Sequence, residues 1–202
     1  MRYKTVFLLI IVILFLIGCA KESGTSTTSS NTELEGKWIT TCYLSDNDST
    51  IWKYSISTIT VSGSNLENEE KYYRDINCSS QTITLRLVWK ELTIGDEITY
   101  EDGNNGYQYT VKVDSYNRTM HESEGVGSYN STNYCGFSDW ELNVEKNYTG
   151  KTCGTNDPIT YPVKNTTMYN QYTLAESNLY FGPYSTSSYP GYTDWAPIWV
   201  KQ

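Results

Sequence analysis

Thr82-Ile83-Thr84-Leu85-Arg86-Leu87-Val88-Trp89-Lys90 is the stretch whose reading decides the fold. Ile83, Leu85, Leu87 and Trp89 recur at every second position. A period of two places alternate side chains on opposite faces of a strand, whereas a helix needs apolar residues three and four apart. The nine residues therefore predict a half-buried β-strand. The same period extends outward on both sides. Upstream, Leu66 to Arg74 reads as a polar strand, preceded by a turn at Ser62-Gly63-Ser64-Asn65 and by a segment in which Trp52, Tyr54, Ile56 and Thr58 share one face. Earlier still, Trp38, Thr40 and Cys42 alternate with Ile39, Thr41 and Tyr43. Downstream, Glu101-Asp102-Gly103-Asn104-Asn105-Gly106 is a turn before Tyr107, Tyr109, Val111 and Val113. Met168 to Leu174 and Asn178 to Phe181 flank Ala175-Glu176-Ser177 as a hairpin, and Trp199-Val200-Lys201 reads as a closing strand. Short strands separated by turns predict an all-β sandwich or barrel. Residues 114–166, rich in Asn, Ser, Gly and Tyr, read as a long loop-rich insertion with a short helix near Asn130 to Tyr134.

The N-terminus has a different character. Arg2 and Lys4 precede an unbroken apolar run of 12 residues, Val6 to Ile17. A spanning helix needs about 20 apolar residues, whereas a secretory signal core needs roughly 7–15. The run ends in Leu16-Ile17-Gly18-Cys19, which resembles the bacterial lipobox. That resemblance implies cleavage before Cys19, attachment of diacylglycerol to its sulfur, and acylation of the new amine. Two or more chains anchor a protein stably, where one binds marginally. The expected location is the cell envelope, held by lipid. Ala20 is not the aspartate associated with inner-membrane retention, so the outer membrane is favoured in a Gram-negative cell.

Removing residues 1–18 from 202 leaves 184. Residues 19–33 form a lipidated cysteine and a Ser/Thr-rich tether with almost nothing that can pack. Residues 34–202 remain as one folding domain. The mature chain keeps 13 of the 15 basic residues and all 23 acidic ones, for a net charge of 13 − 23 = −10. An acidic chain without a basic stripe argues against nucleic acid as a partner. Nineteen tyrosines and six tryptophans stand against four phenylalanines, two of them in the signal. Tyrosine suits a β surface because its ring can be buried while its hydroxyl stays wet. It also suits contact with carbohydrate or lipid headgroups.

Four cysteines follow Cys19, namely Cys42, Cys78, Cys135 and Cys153. Export permits disulfides, and four cysteines allow three connectivities. The local pairing, Cys42–Cys78 with Cys135–Cys153, is favoured. A zinc site built from all four thiolates is the rival, but the chain lacks any Cys-x-x-Cys pair.

Leu34-Glu35-Gly36-Lys37-Trp38 resembles the Gly-x-Trp opening of lipocalins and related barrels. There the tryptophan plugs one end of an eight-stranded up-and-down barrel. The chain also looks like a group of bacterial secreted lipoproteins that share four elements. These are Gly-x-Trp-x-x-x-Cys, here Gly36 to Cys42; Tyr-x-Asp-x-x-Cys, here Tyr73 to Cys78; Cys-Gly-Phe-Ser-Asp-Trp at Cys135 to Trp140, followed by Lys146-Asn147-Tyr148-Thr149-Gly150-Lys151; and Asn178-Leu179-Tyr180-Phe181-Gly182. The resemblance implies a single antiparallel, up-and-down, lipocalin-like barrel, with a sandwich as the alternative. It implies no activity and no cofactor.

No residue pattern for catalysis emerges. His121 is the single histidine, and no Gly-x-Ser-x-Gly occurs. His121, Glu122 and Glu124 could hold a metal, although a lone histidine beside acids is more often an ordinary polar residue. Asp46-Asn47-Asp48 and Asp102-Gly103-Asn104 lack the remaining ligands of a calcium loop. Two accounts remain. The first is a carrier of a small apolar ligand, with Trp38, Tyr54, Ile56, Leu85, Leu87, Tyr109 and Val111 as core or pocket residues. The second is a surface module with a solid core that binds an envelope protein or glycan. For the anchor, growth with labelled palmitate is decisive: the parent chain should carry label and Cys19→Ser should carry none. Equal labelling of the two would remove the anchor.

Overall fold

The computed structural model describes residues 32–45, 52–100, 103–154, 158–193 and 197–202. Cys19, the signal segment, most of the tether, Asp46-Asn47-Asp48 and Asp102 lie outside the described residues. The strands in chain order are β1 (Gly36–Ile39), β2 (Tyr43–Leu44), β3 (Tyr54–Ser62), β4 (Asn65–Tyr73), β5 (Gln81–Thr99) and β6 (Asn105–Met120). A helix, α1 (Ser123–Ser131), and one 3-10 turn (Tyr134–Gly136) follow, then β7 (Glu145–Asn147), β8 (Thr152–Cys153) and β9 (Ile159–Thr160). The chain closes with β10 (Thr167–Ala175), β11 (Asn178–Phe181) and β12 (Trp199–Lys201).

Eight of these strands form a closed antiparallel barrel. Pairing runs β1-β3-β4-β5-β6-β10-β11-β12 and returns to β1, so each barrel strand pairs with its successor in the chain. This is the up-and-down, lipocalin-like barrel, and closure rules out the sandwich. The stretch Gln81–Trp89 of β5 pairs with β4, as its alternation requires. The strand then continues to Thr99 through three register shifts. Bulges of this kind sharpen the local twist and let a long strand wrap a barrel. Glu91 carries a φ of 55° at one of them, which breaks the alternation and hides the continuation from the sequence.

The two ends of the barrel differ. At one end sit the two-residue turns Gly63-Ser64 and Glu176-Ser177, the β5–β6 turn, and the start of β1 where the tether arrives. Trp38 closes this end: its indole N–H donates to the Leu34 carbonyl at 2.9 Å, and Lys201 Nζ stands 5.1 Å from the ring centroid. At the other end lie all the long connections, namely β1 to β3, β4 to β5, β6 to β10 and β11 to β12. Both disulfides are there too. Cys42–Cys78 ties the segment after β1 to the β4–β5 connection, and Cys135–Cys153 ties the 3-10 turn to β8.

Two sequence expectations need correction. In β3 the core face is Ser55, Ser57, Ile59 and Val61, while Tyr54, Ile56 and Thr58 are half-buried on the outer face. Small serines line the inside because Trp199 occupies the space opposite: its indole N–H donates to Ser57 Oγ at 3.2 Å. Hydrophobicity alone selects the wrong face where a bulky partner comes from a distant strand. The helix also lies earlier than expected, at Ser123–Ser131, and Tyr134 belongs to the 3-10 turn.

The Cys135–Cys153 bridge closes a sequence separation of 18. The chain-entropy model gives about 3 kcal/mol for a loop of this size. Replacing both cysteines by serine should lower the unfolding free energy in urea by about that amount, and an unchanged midpoint would show the bridge to be thermodynamically idle.

Candidate functional site

The barrel interior is occupied by stacked and edge-on rings. Trp89 stacks on Tyr184 with centroids 4.6 Å apart, and Tyr109 donates its hydroxyl to that of Tyr184 at 3.0 Å. Tyr109 meets Tyr172 at 6.0 Å and Phe181 at 6.1 Å, and Phe181 meets Trp199 at 5.4 Å. Of the pocket residues expected from sequence, Trp38, Tyr109 and Val111 lie in this lattice, at 3%, 0% and 1% exposure. Leu87 packs against it half-buried, and Leu85 packs against the neighbouring cluster under α1. Tyr54 and Ile56 belong to neither cluster.

A second interior zone lies between the barrel and the insertion. Ile83, Met120 and Tyr72, at the ends of β5, β6 and β4, pack with Tyr129 and Trp140. The insertion caps this end of the sheet. Trp140 is pinned there by an amide pair: Asn130 Oδ1 accepts from the Trp140 backbone N–H at 2.6 Å, and Asn130 Nδ2 donates to the Trp140 carbonyl at 3.0 Å. Outside the cap, Arg74 forks onto both oxygens of Glu122 at 2.8 and 2.9 Å and reaches Glu124 at 2.7 Å. Those two acids are thereby engaged, and His121 bonds Thr84 and Asn143. The three side chains considered for a metal do not converge.

Beneath the cap, β6 places Arg118 on the inner face between Tyr116 and Met120, with 1% of its surface exposed. Its guanidinium carbon lies 4.9 Å from the ring centroid of Trp52, 5.0 Å from Tyr134, 5.1 Å from Tyr148 and 5.6 Å from Tyr129. One nitrogen, Nη1, donates to the Tyr129 hydroxyl at 2.9 Å. Among the described residues no carboxylate stands within ion-pair distance of it, since every ion pair there uses another cation. Arg118 Nε and the Tyr148 hydroxyl have no hydrogen-bond partner although both are buried. Burial opposes the charge, but the surrounding tyrosine oxygens outweigh it and hold the guanidinium protonated. Each desolvated cation–π contact contributes on the order of 1–2 kcal/mol. The effective cost of burying an ion is several kcal/mol, so the rings offset most of it. The Tyr129 hydroxyl, and that of Tyr161, accept hydrogen bonds from the guanidinium, but Nε remains unmet.

Arg118 was absent from the sequence-based candidates. Its signal was present: Tyr116, Arg118 and Met120 continue the alternation of Tyr109, Val111 and Val113, after an irregularity at Asp114-Ser115. An arginine at an inward position of a strand is the feature to look for.

No protein-family model matches the chain, and no curated protein matches it.

The buried phenols give the molecule an alkaline limit. Burial, first of all, raises the pKa values of Tyr72, Tyr109, Tyr129, Tyr148, Tyr172 and Tyr184 above the ordinary 10.0. In the unfolded chain these groups lose protons near pH 10, while in the fold they keep them. Stability is thus full below about pH 10 and falls as pH rises beyond it. A titration followed by tyrosinate absorbance should show one class of tyrosines ionising at about pH 10 and a second class ionising only as the tertiary signal collapses. Ionisation of all tyrosines in one step at the ordinary pH, with the fold intact, would contradict the packed interior.

Proposed function

We propose that the protein is a membrane-anchored cell-envelope lipoprotein whose barrel is a rigid support for one interacting end. The polarity of the barrel carries this reading. The tether enters at the end with tight turns, and the long connections and both disulfides gather at the opposite end. A lipid on Cys19 would place that loop-bearing end away from the membrane. Binding residues concentrate on loops positioned by a rigid scaffold, and here the scaffold is stapled where the loops leave it. Leu44 and Ile76, 61% and 69% exposed, are large apolar side chains on these connections. The expected partner is an envelope protein or glycan. The ring lattice inside the barrel favours this over an internal apolar ligand, because side chains fill the space such a ligand would take.

A photo-crosslinking residue at Ile76, on the loop-bearing end, and another at Ser64, on the turn end, test the reading in living cells. The Ile76 position should yield a discrete high-mass adduct and the Ser64 position none. Adducts at neither position, at both alike, or only at Ser64 would overturn it.

A further inference from the structure

We infer that the chamber around Arg118 is a binding site for a small monoanion of chloride or carboxylate size. The guanidinium lacks a charged partner among the described residues. It is almost completely buried, and it has four aromatic rings around it. Its Nε–H is unpaired, and the hydroxyl of Tyr148, whose ring centroid lies 5.1 Å from the guanidinium carbon, is unpaired as well. Two buried donors around one site call for an acceptor, and a net positive charge calls for that acceptor to be an anion. An oxyanion or halide accepts from both donors in a way that ring faces cannot.

The surroundings limit the size of the ligand. Toward the barrel, Tyr116 stands against Trp89 at 6.3 Å and against Tyr148 at 6.2 Å, which closes the way to the interior. Toward the cap, Tyr129 and Tyr134 stack at 4.1 Å, and Tyr148 meets Tyr161 at 4.6 Å. These ring contacts crowd the guanidinium on the barrel and cap sides, which favours a free small anion over the headgroup of a lipid. This inference is independent of the anchor and of any partner at the loop-bearing end.

The test uses the full chain in neutral detergent, with chloride or acetate exchanged against gluconate at constant ionic strength. Gluconate has the same charge and is much bulkier than chloride or acetate. Chloride and acetate should raise Tm by several degrees over gluconate and should perturb the near-ultraviolet circular dichroism of the rings. The rise should disappear in Arg118→Met. Because that variant removes a central side chain, Tyr148→Phe provides a milder one: it deletes one donor and should weaken the anion about tenfold, the size expected for a hydrogen bond to a charged group. Decanoate should do no more than acetate. Equal Tm in all three salts would overturn the site, as would a rise that survives intact in Tyr148→Phe. A much larger effect of decanoate would overturn the small-anion assignment.

Discussion

The fold depends on one strand of four residues having partners on both sides. β1 pairs with β3 through Gly36 to Ile39 and with β12 through Trp38 and Ile39. Without those contacts the sheet would be open, with a row of unpaired amides on β3 and another on β12, and exposed edges of that kind recruit other chains. Closure also fixes register. Trp38 faces Ile59 on one side and Lys201 on the other, so its ring lies inside and the lysine lies over it. A slip of one residue would turn the ring outward. The register of β1 therefore fixes Trp38 inside the barrel at the turn end.

What closure creates, aromatic side chains fill. An eight-stranded barrel has an interior just wide enough to be packed by its own residues. Here the filling comes unevenly from the strands. β6, β10 and β11 supply Tyr109, Tyr172 and Phe181, β12 supplies Trp199, and β3 answers with Ser55 and Ser57. Ser57 receives the Trp199 indole N–H and donates its own hydroxyl to Asn68, so it satisfies polar groups as well as making room, whereas the Ser55 hydroxyl has no partner. Tyr184 completes the lattice from outside regular structure. Its neighbour Ser185 is bridged to Tyr169 of β10, which fixes the chain where the Tyr184 ring can reach Trp89 and Tyr109.

Much of this was legible from sequence, and the failures have physical causes. Strand identity and the turns at Gly63-Ser64 and Glu176-Ser177 follow from local chemistry, and the chain order of the barrel follows from the turns. The local pairing of cysteines also matches the bridges formed. The face of β3 was misread because that choice depends on Trp199, 142 positions from Ser57 in the chain. The length of β5 was misread because a bulge at Glu91 breaks the period. The helix was misplaced because Ser123–Ser131 has no apolar stripe: it holds its place through the buried Gly125 and Tyr129 and through the Arg74 fork at its start. Arg118 escaped notice for a related reason. A charged residue in a strand is ordinarily assigned to the outer face, and only the third dimension shows the aromatic side chains gathered over it.

The position of that arginine bears on how the two parts of the molecule are coupled. Its rings come from separate pieces of chain: Trp52 from the segment before β3, Tyr129 and Tyr134 from the cap, and Tyr148 and Tyr161 from the stretch between β7 and β10. None of these pieces pairs with another in the barrel ladder. The guanidinium is the group they share, so it orders the loop-bearing end much as Trp38 orders the turn end. The two devices differ in kind. Trp38 is held by backbone register and by its indole hydrogen bond to the Leu34 carbonyl. The Arg118 cluster is held by attraction to a buried charge, and its strength depends on how well that charge is shielded and matched. The loop-bearing end thus gathers its pieces around Arg118, and through Tyr148 it is continuous with the apolar cluster that contains Trp38.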